Sequence, residues 1–523
     1  MFWADRIAEE IRATRTPRDG KTFRIRDEKT LSGRVHVGSM RGVAIHGLVG
    51  EALSELGVPN TYTYELNDFD DFDSVPGYLP EEAFKEYLAY SLHKVPSPVE
   101  GYENFAEYYG AEFVEVHKKA GFFPEYYRAT ELYRSGKMDP QIRIALERAH
   151  DVRRILKEVS GSVKDESWLP ISVVCEQCGK MKTTRAYEFD GETVGYTCDV
   201  PAYGALPCGH VGRVAPWGGA SKLFWKVDWA AKWVAGGVDI EGAGKDHCTK
   251  GGSRDVADHI ARELFDYEPP YNIPYEFFLV GGKKMSSSKG RGSSAKDMAD
   301  LFPAEIYRLA LIGKDINQQV DVDPEGESVP RLYDWHDELA QLVRDGVADD
   351  FTRLYTYTKL PEARAALTAP WMLRFSQVAF IAQMPHISMH AEAERVKGSP
   401  LTEEEKALLD ERESYALYWL STYADSQYQY RLQEHLPEGI ALTETQKHAL
   451  ALLATFMETG PKTGEEIHEY LHALKTEAPI APKELFGALY RVFLDRDSGP
   501  KAGWFLSVLP HEHVITMLRS ASV

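Results

Sequence analysis

Ser32-Gly33-Arg34-Val35-His36-Val37-Gly38-Ser39 is the stretch from which the fold can be read. Upstream of it, Thr22 to Arg26 alternates and runs into a polar turn, the pattern of a short strand entering a loop. Downstream, Met40 to Leu56 carries Val43, Ile45, Leu48, Val49, Leu53 and Leu56 at helical spacing. The octapeptide therefore lies where a strand–loop unit opens a helix. A second strand pattern follows at Asn60 to Leu66 and enters Asn67-Asp68-Phe69-Asp70-Asp71. Strand, helix, strand in this order predicts an α/β fold with a parallel sheet and crossover helices. Such sheets bind ligands at the carboxyl ends of their strands. The start of the helix offers backbone N–H groups and a positive dipole end to phosphate. Gly38 has no Cβ, so a flat base could lie against the backbone there, and His36 could donate to a phosphate oxygen. Taken alone, a His-x-Gly reads more simply as a helix-capping histidine beside a packing glycine.

Far downstream, Lys284-Met285-Ser286-Ser287-Ser288-Lys289-Gly290 follows an apolar run, Tyr275 to Val280, and two glycines. The apolar run reads as a buried strand. The segment after it reads as a loop of cations and hydroxyls, suited to gripping a polyphosphate and releasing it. Between the two motifs lies Gly244-Lys245-Asp246-His247.

Together, and in this order, the motifs resemble the His-Ile-Gly-His, nucleotide-site and Lys-Met-Ser-Lys-Ser signatures of class I aminoacyl-tRNA synthetases. Phe2-Trp3-Ala4-Asp5, Thr30-Leu31-Ser32-Gly33, Asn67-Asp68-Phe69-Asp70, Trp225-Lys226-Val227-Asp228-Trp229, Gly251-Gly252-Ser253 and Pro274-Tyr275-Glu276 narrow the resemblance to the class I, archaeal-type lysyl-tRNA synthetases. It runs to about Leu332 and reappears in Phe486-Gly487-Ala488-Leu489-Tyr490-Arg491 and Gly499-Pro500-Lys501.

The resemblance implies ATP-dependent activation of L-lysine, with Mg²⁺ accompanying ATP, and transfer of the lysyl group to tRNA(Lys). Catalytic roles fall on His36, Gly38, Ser39, Lys284, Ser286, Ser287, Ser288 and Lys289. ATP contacts fall on Ser32, Gly33, His36, Gly38, Gly244, Asp246, His247, Lys284 and Met285. The chain departs from the general class signature at Ser39 and at Ser287, and Lys289 could supply the charge missing at 287. Lysine contacts are implied for Thr30, Asp68, Asp70, Trp225, His247 and Tyr275, because an ammonium wants a carboxylate and an aromatic face. Asp68 and Asp70 read equally well as loop caps, and Trp225 and Tyr275 as packing residues. Where the family usually has glycine two residues before Thr30, this chain has Glu28, a carboxylate near the expected amino-acid site. Other readings are a related synthetase for glutamate, a non-catalytic tRNA-binding paralogue, and a metal-dependent adenylyltransferase.

The 523 residues are too many for one core. The expected division is a Rossmann-type catalytic domain at 1–101 and 215–282 and a connective insertion at 102–214. A loop and stem-contact region at 283–345 and an all-α anticodon-binding domain at 346–523 complete it. With 43% hydrophobic residues, no bilayer-length apolar run and no signal-peptide core, a cytoplasmic monomer is expected. The net charge of −20 requires local basic surface wherever RNA binds.

Cys175-Glu176-Gln177-Cys178-Gly179, with Cys198 and Cys208, fits a tetrahedral structural zinc site. His210 could replace Cys208, since the gap from Cys198 is long for a knuckle. Free thiols or a disulfide are the other readings, and a cytosolic setting argues against the disulfide. After about Val329 the pattern turns helical. Capping boxes are predicted at Thr402 with Glu405, Thr443 with Gln446 and Thr463 with Glu466. Trp371, Arg374, Phe375, Tyr490 and Arg491 are candidates for reading unstacked bases of the anticodon, or for the helical core.

Overall fold

The computed structural model describes residues 1–282, 294–384 and 387–523. The octapeptide sits as its neighbours require. Strand β1 (Phe23–Thr30) enters it, and the helix Gly38–Glu55 leaves it. The helix is buried along most of its length, including Val43, Ile45, Leu48, Val49 and Leu53. It returns the chain to β2 (Asn60–Asn67), which pairs parallel to β1 from Phe23 opposite Asn60 to Thr30 opposite Asn67. This is a βαβ unit, for which crossover sterics favour the right hand.

A third strand, β3 (Glu125–Arg128), pairs parallel to β2 on its far side. It lies inside the 102–214 segment that the sequence marks as an insertion, so part of that segment belongs to the main sheet. On the other edge of β1, the Arg26 N–H donates to Ile240 O at 3.0 Å, and the Ile240 N–H to Arg24 O at 3.1 Å. Residues 240–244 in turn pair parallel with 271–275. In space the order is β3, β2, β1, 240–244, 271–275. The chain direction of growth reverses between β1 and 240–244, which is the topological switch point of a doubly wound sheet.

Two compact units emerge: Met1–Asp323 with Leu342–Leu367, and Pro324–Gln341 with Thr368–Val523. The expected boundary at 345/346 is therefore displaced. Residues 350–358 stay with the first unit because the Arg353 guanidinium donates to Asp5 at 2.8 Å and to Glu55 at 2.6 Å. Inside the first unit, the segment around the cysteines forms an antiparallel sheet of Thr184–Phe189, Val194–Cys198 and Val211–Val214.

The described part of the second unit is helical throughout. All three predicted capping boxes are present, each with reciprocal side-chain and backbone bonds. Among the described residues, no helix is long and apolar enough to cross a membrane.

Candidate active site

A cavity of about 410 Å³ opens at the switch point. Its walls are the carboxyl end of β1 (Asp27 to Thr30), the end of β2 with Asn67 and Asp70, the 241–244 segment, and the start of the helix Trp225–Gly236. Trp225, 45% exposed, stacks on Trp229 with ring centroids 6.2 Å apart. The His247 ring meets both indoles edge-on, and its Nδ1 pairs with Ser253 Oγ at 2.8 Å. Tyr275 lines the same cavity. Gly42 makes room for it: a Cβ on that residue would lie 2.7 Å from the Tyr275 hydroxyl oxygen.

Beneath the cavity lies a buried charge network. The Arg26 guanidinium donates to both oxygens of Glu241 at 2.8 and 2.9 Å, to Glu65 at 2.8 Å and to Glu28 at 2.5 Å. The Lys232 ammonium bonds Glu65 at 2.5 Å and lies 3.0 Å from Asp228. The Lys222 ammonium bridges Asp70 at 2.5 Å and Asp228 at 3.1 Å. Trp229 and Trp233 donate their indole N–H groups to the two oxygens of Glu241. Asp70 also accepts from Thr30 and Asn67.

Burial would raise the Asp70 carboxyl, but Lys222 and Lys232 outweigh it and hold it well below the usual carboxylate range. Glu28 is likewise held down, at about 2, because Lys232 and Arg26 overcome its desolvation. Burial pushes the Lys29 ammonium down. The cavity and this network bring together the carboxylates of Asp27, Glu28, Glu65, Asp70, Asp228 and Glu241. Facing them are the cations of Arg26, Lys29, Lys222 and Lys232, with the His46 imidazole 3.5 Å from Asp27. Among these named groups the carboxylates outnumber the lysine and arginine cations, in surroundings where charge is costly to leave uncompensated.

The phosphate-suited loop borders this site in sequence, since β1 leads from Thr30 straight into Ser32. Gly33 has φ +144°, and a Cβ there would lie 2.7 Å from the Tyr78 hydroxyl oxygen, so glycine is required. The backbone of His36 bridges antiparallel to Ser294, and the Ala295 N–H donates to Val35 O at 2.7 Å. The described chain thus resumes beside His36, directly after the 283–293 segment. Lys284, Met285, Ser286, Ser287, Ser288 and Lys289 themselves lie outside the described residues.

The sulfurs of Cys175, Cys178, Cys198 and Cys208 all lie within 4.8 Å of one another. The Cys175–Cys208 and Cys178–Cys198 separations are 3.7 and 3.8 Å. A tetrahedron with metal–sulfur bonds of about 2.3 Å has edges of roughly 3.8 Å, so four thiolates here fit zinc. The fourth member is Cys208, and His210 is outside the group.

The family model for class I tRNA synthetases (K) matches residues 1–360. The chain belongs to this synthetase family. A lysine–tRNA ligase 1 from Methanosarcina acetivorans is 34% identical, covering 100% of this chain and 98% of that protein. A lysine–tRNA ligase from Archaeoglobus fulgidus is 30% identical over 100% of both chains. A solved glutamate–tRNA ligase from Elizabethkingia meningosepticum, in complex with its amino acid, superposes with a TM-score of 0.42 at 11% identity, over 96% of this chain and 99% of that one.

In the synthetase, Thr30, Asp70, Trp225, Gly244, His247 and Tyr275 all line the cavity. Asp68 does not. It is buried and ties the end of β2 to the helix Ala129–Arg134 that follows β3, accepting from the Thr130 N–H at 2.9 Å and hydroxyl at 2.6 Å. That is the loop-capping role the sequence also allowed. Sequence reasoning missed Arg26, Glu65, Lys222, Asp228, Lys232 and Glu241 as a set. Their signal was a charge among aromatic or apolar neighbours, as at Glu65 in β2 and Lys232 in the helix Trp225–Gly236.

In the helical unit of the synthetase, Phe375 stacks on Tyr333 and Tyr490 is buried, so both are core. Arg374 instead borders a separate cavity of about 380 Å³ with Lys501, Tyr428, Tyr430 and Trp504.

Proposed function

We infer that this synthetase joins L-lysine to tRNA(Lys) in two steps. In the first, an oxygen of the lysine α-carboxylate attacks the α-phosphorus of ATP, forming lysyl-adenylate and releasing pyrophosphate. In the second, the 2′-hydroxyl of the terminal adenosine of tRNA attacks the activated carbonyl, and AMP leaves. The observation that carries the choice of lysine is the excess of carboxylates over lysine and arginine cations around the switch-point cavity. Lysine carries two ammonium groups against one carboxylate, a net positive charge, whereas glutamate is net negative and would bring a second carboxylate into a site already rich in them. The lysine–tRNA ligases that match along their whole length point the same way.

Catalysis needs little acid–base chemistry and rests on positioning and stabilising phosphate charge. His36 would donate to the phosphates, with Gly38 and Ser39 at the helix start. Gly244 and Asp246 would hold the ribose, and His247 would stand between nucleotide and amino acid. Lys284 and Lys289, with Ser286, Ser287 and Ser288, would balance charge on the departing pyrophosphate, and Met285 would border the base. Lys29 is suited to the α-carboxylate. Mg²⁺ would enter with ATP and bind mainly through phosphates and water. Zinc at the four cysteines would be structural, stabilising a small strand-rich segment that has little core of its own.

In the helical unit, the aromatic cavity bordered by Arg374 and Lys501 suits an unstacked base with its phosphate. That supports anticodon reading there. The test is charging of tRNA by the purified chain with each amino acid, ATP and Mg²⁺. Lysyl-tRNA alone should form. Glutamyl-tRNA would overturn the substrate reading, and no charging with any amino acid would favour the tRNA-binding paralogue.

A further inference from the structure

We propose that Glu28 is the residue that selects the substrate's side-chain ammonium, an inference that rests on the lysine reading above. The other carboxylates of the site have their oxygens taken. Both oxygens of Glu241 are occupied by Arg26 and the two indoles. Glu65 gives one oxygen to Lys232 and the other to Arg26. Asp228 gives one to Tyr133 and the other to Lys222 and Lys232. Asp70 gives one to Lys222 and the other to Thr30 and Asn67. Asp27 also lines the cavity, but one of its oxygens accepts from the Glu28 N–H and the other lies 3.5 Å from His46 Nδ1.

Glu28 differs from all of these. Its Oε2 meets Arg26 at 2.5 Å and Lys232 at 3.4 Å, while its Oε1 accepts no hydrogen bond among the described residues. The side chain is 32% exposed on the cavity wall. It is therefore ionised, clamped at one oxygen and open at the other. A ligand ammonium is the group such an oxygen accepts best. The exposed face of Trp225, on the same cavity, offers packing to the methylenes that lead to it. This arrangement is pre-organised: the counter-charges that fix Glu28 are buried and do not reorient when substrate enters.

The competing role for Glu28 is only to neutralise Arg26 and Lys232. Lysine-dependent pyrophosphate exchange with tRNA present, and competition by L-norleucine, separate the two. Norleucine has a lysine-like aliphatic chain without the ammonium. For E28Q, KM for lysine should rise about 30-fold with kcat within about threefold, as for loss of a hydrogen bond to a charged group. The Ki of norleucine should stay within about threefold, since norleucine never uses the carboxylate. E28D keeps the charge one methylene further back. It should recover part of the lysine KM and shift preference toward L-homolysine.

A parallel rise in lysine KM and norleucine Ki, or no change in either, would overturn the proposal while leaving the lysine reading intact. If E28Q fails to fold, E28D alone decides: an unchanged chain-length preference would overturn it. A wild-type chain that exchanges no pyrophosphate with lysine would overturn the parent reading and this inference with it.

Discussion

Replacing Lys222 by Met removes the ammonium that bridges Asp70 and Asp228 while nearly keeping side-chain length. The cost can be worked from the contacts. Lys222 is 6% exposed and lies 2.5 Å from Asp70 and 3.1 Å from Asp228. Removing one partner of a buried ion pair costs about 3–5 kcal/mol, because the remaining charge stays buried and uncompensated. Here Asp228 keeps Lys232 at 3.0 Å and the Tyr133 hydroxyl at 2.5 Å. Asp70 keeps Thr30 and Asn67. The lower end, about 3 kcal/mol, is therefore expected. Adding D70N removes one stranded charge, so the double variant should be more stable than the sum of the singles by at least about 1 kcal/mol. Native-state hydrogen exchange on the amides of β1 and β2 reads this locally, without assuming that the whole chain unfolds in one step. A loss under about 1 kcal/mol for K222M, or simple additivity in the double variant, would refute the claim that the network is held by buried charge pairing.

H36A should lose about 10²–10³-fold in pyrophosphate exchange while melting like wild type, and K284A the same, since each would remove one stabilising donor. Exchange near the wild-type rate in both would remove the phosphate roles. C198S should abolish the expected single equivalent of zinc measured by atomic emission, whereas C248S, outside the cysteine cluster, should retain it. Burial alone pushes the His117 imidazole from 6.5 down to about 3. The unfolded chain then binds the extra proton between those values, so stability falls as pH drops below 6.5 and the fall is complete near the folded value. From pH 6.5 to 5 the loss should be about 2 kcal/mol larger for wild type than for H117F, read from hydrogen exchange on β2. Equal pH dependence would show that His117 titrates normally.

Local pattern accounts for much of this protein. The alternation before Arg26 and the spacing after Met40 predict β1, the helix and the βαβ unit, because both periods depend only on neighbours in sequence. The capping boxes are legible for the same reason. Strand β3 was not legible: Glu125-Tyr126-Tyr127-Arg128 is four residues long and lies between helical patterns, so only pairing with β2 makes it a strand. The charge network was illegible as a network. Arg26 meets Glu65 and Glu241 from 39 and 215 positions away, and no local rule joins them. Asp70, Trp225 and Tyr275 are candidates through their motifs, and the structure places all three along one cavity. Asp68 shares its motif with Asp70 and faces Thr130 instead, which the motif alone does not reveal.

The most direct measurement is isothermal titration of L-lysine and L-glutamate into the purified chain with tRNA and a non-hydrolysable ATP analogue present. A site in which carboxylates outnumber lysine and arginine cations should take lysine and reject glutamate by at least about 100-fold, some 3 kcal/mol. Glutamate binding as tightly as lysine, or more tightly, would contradict the account.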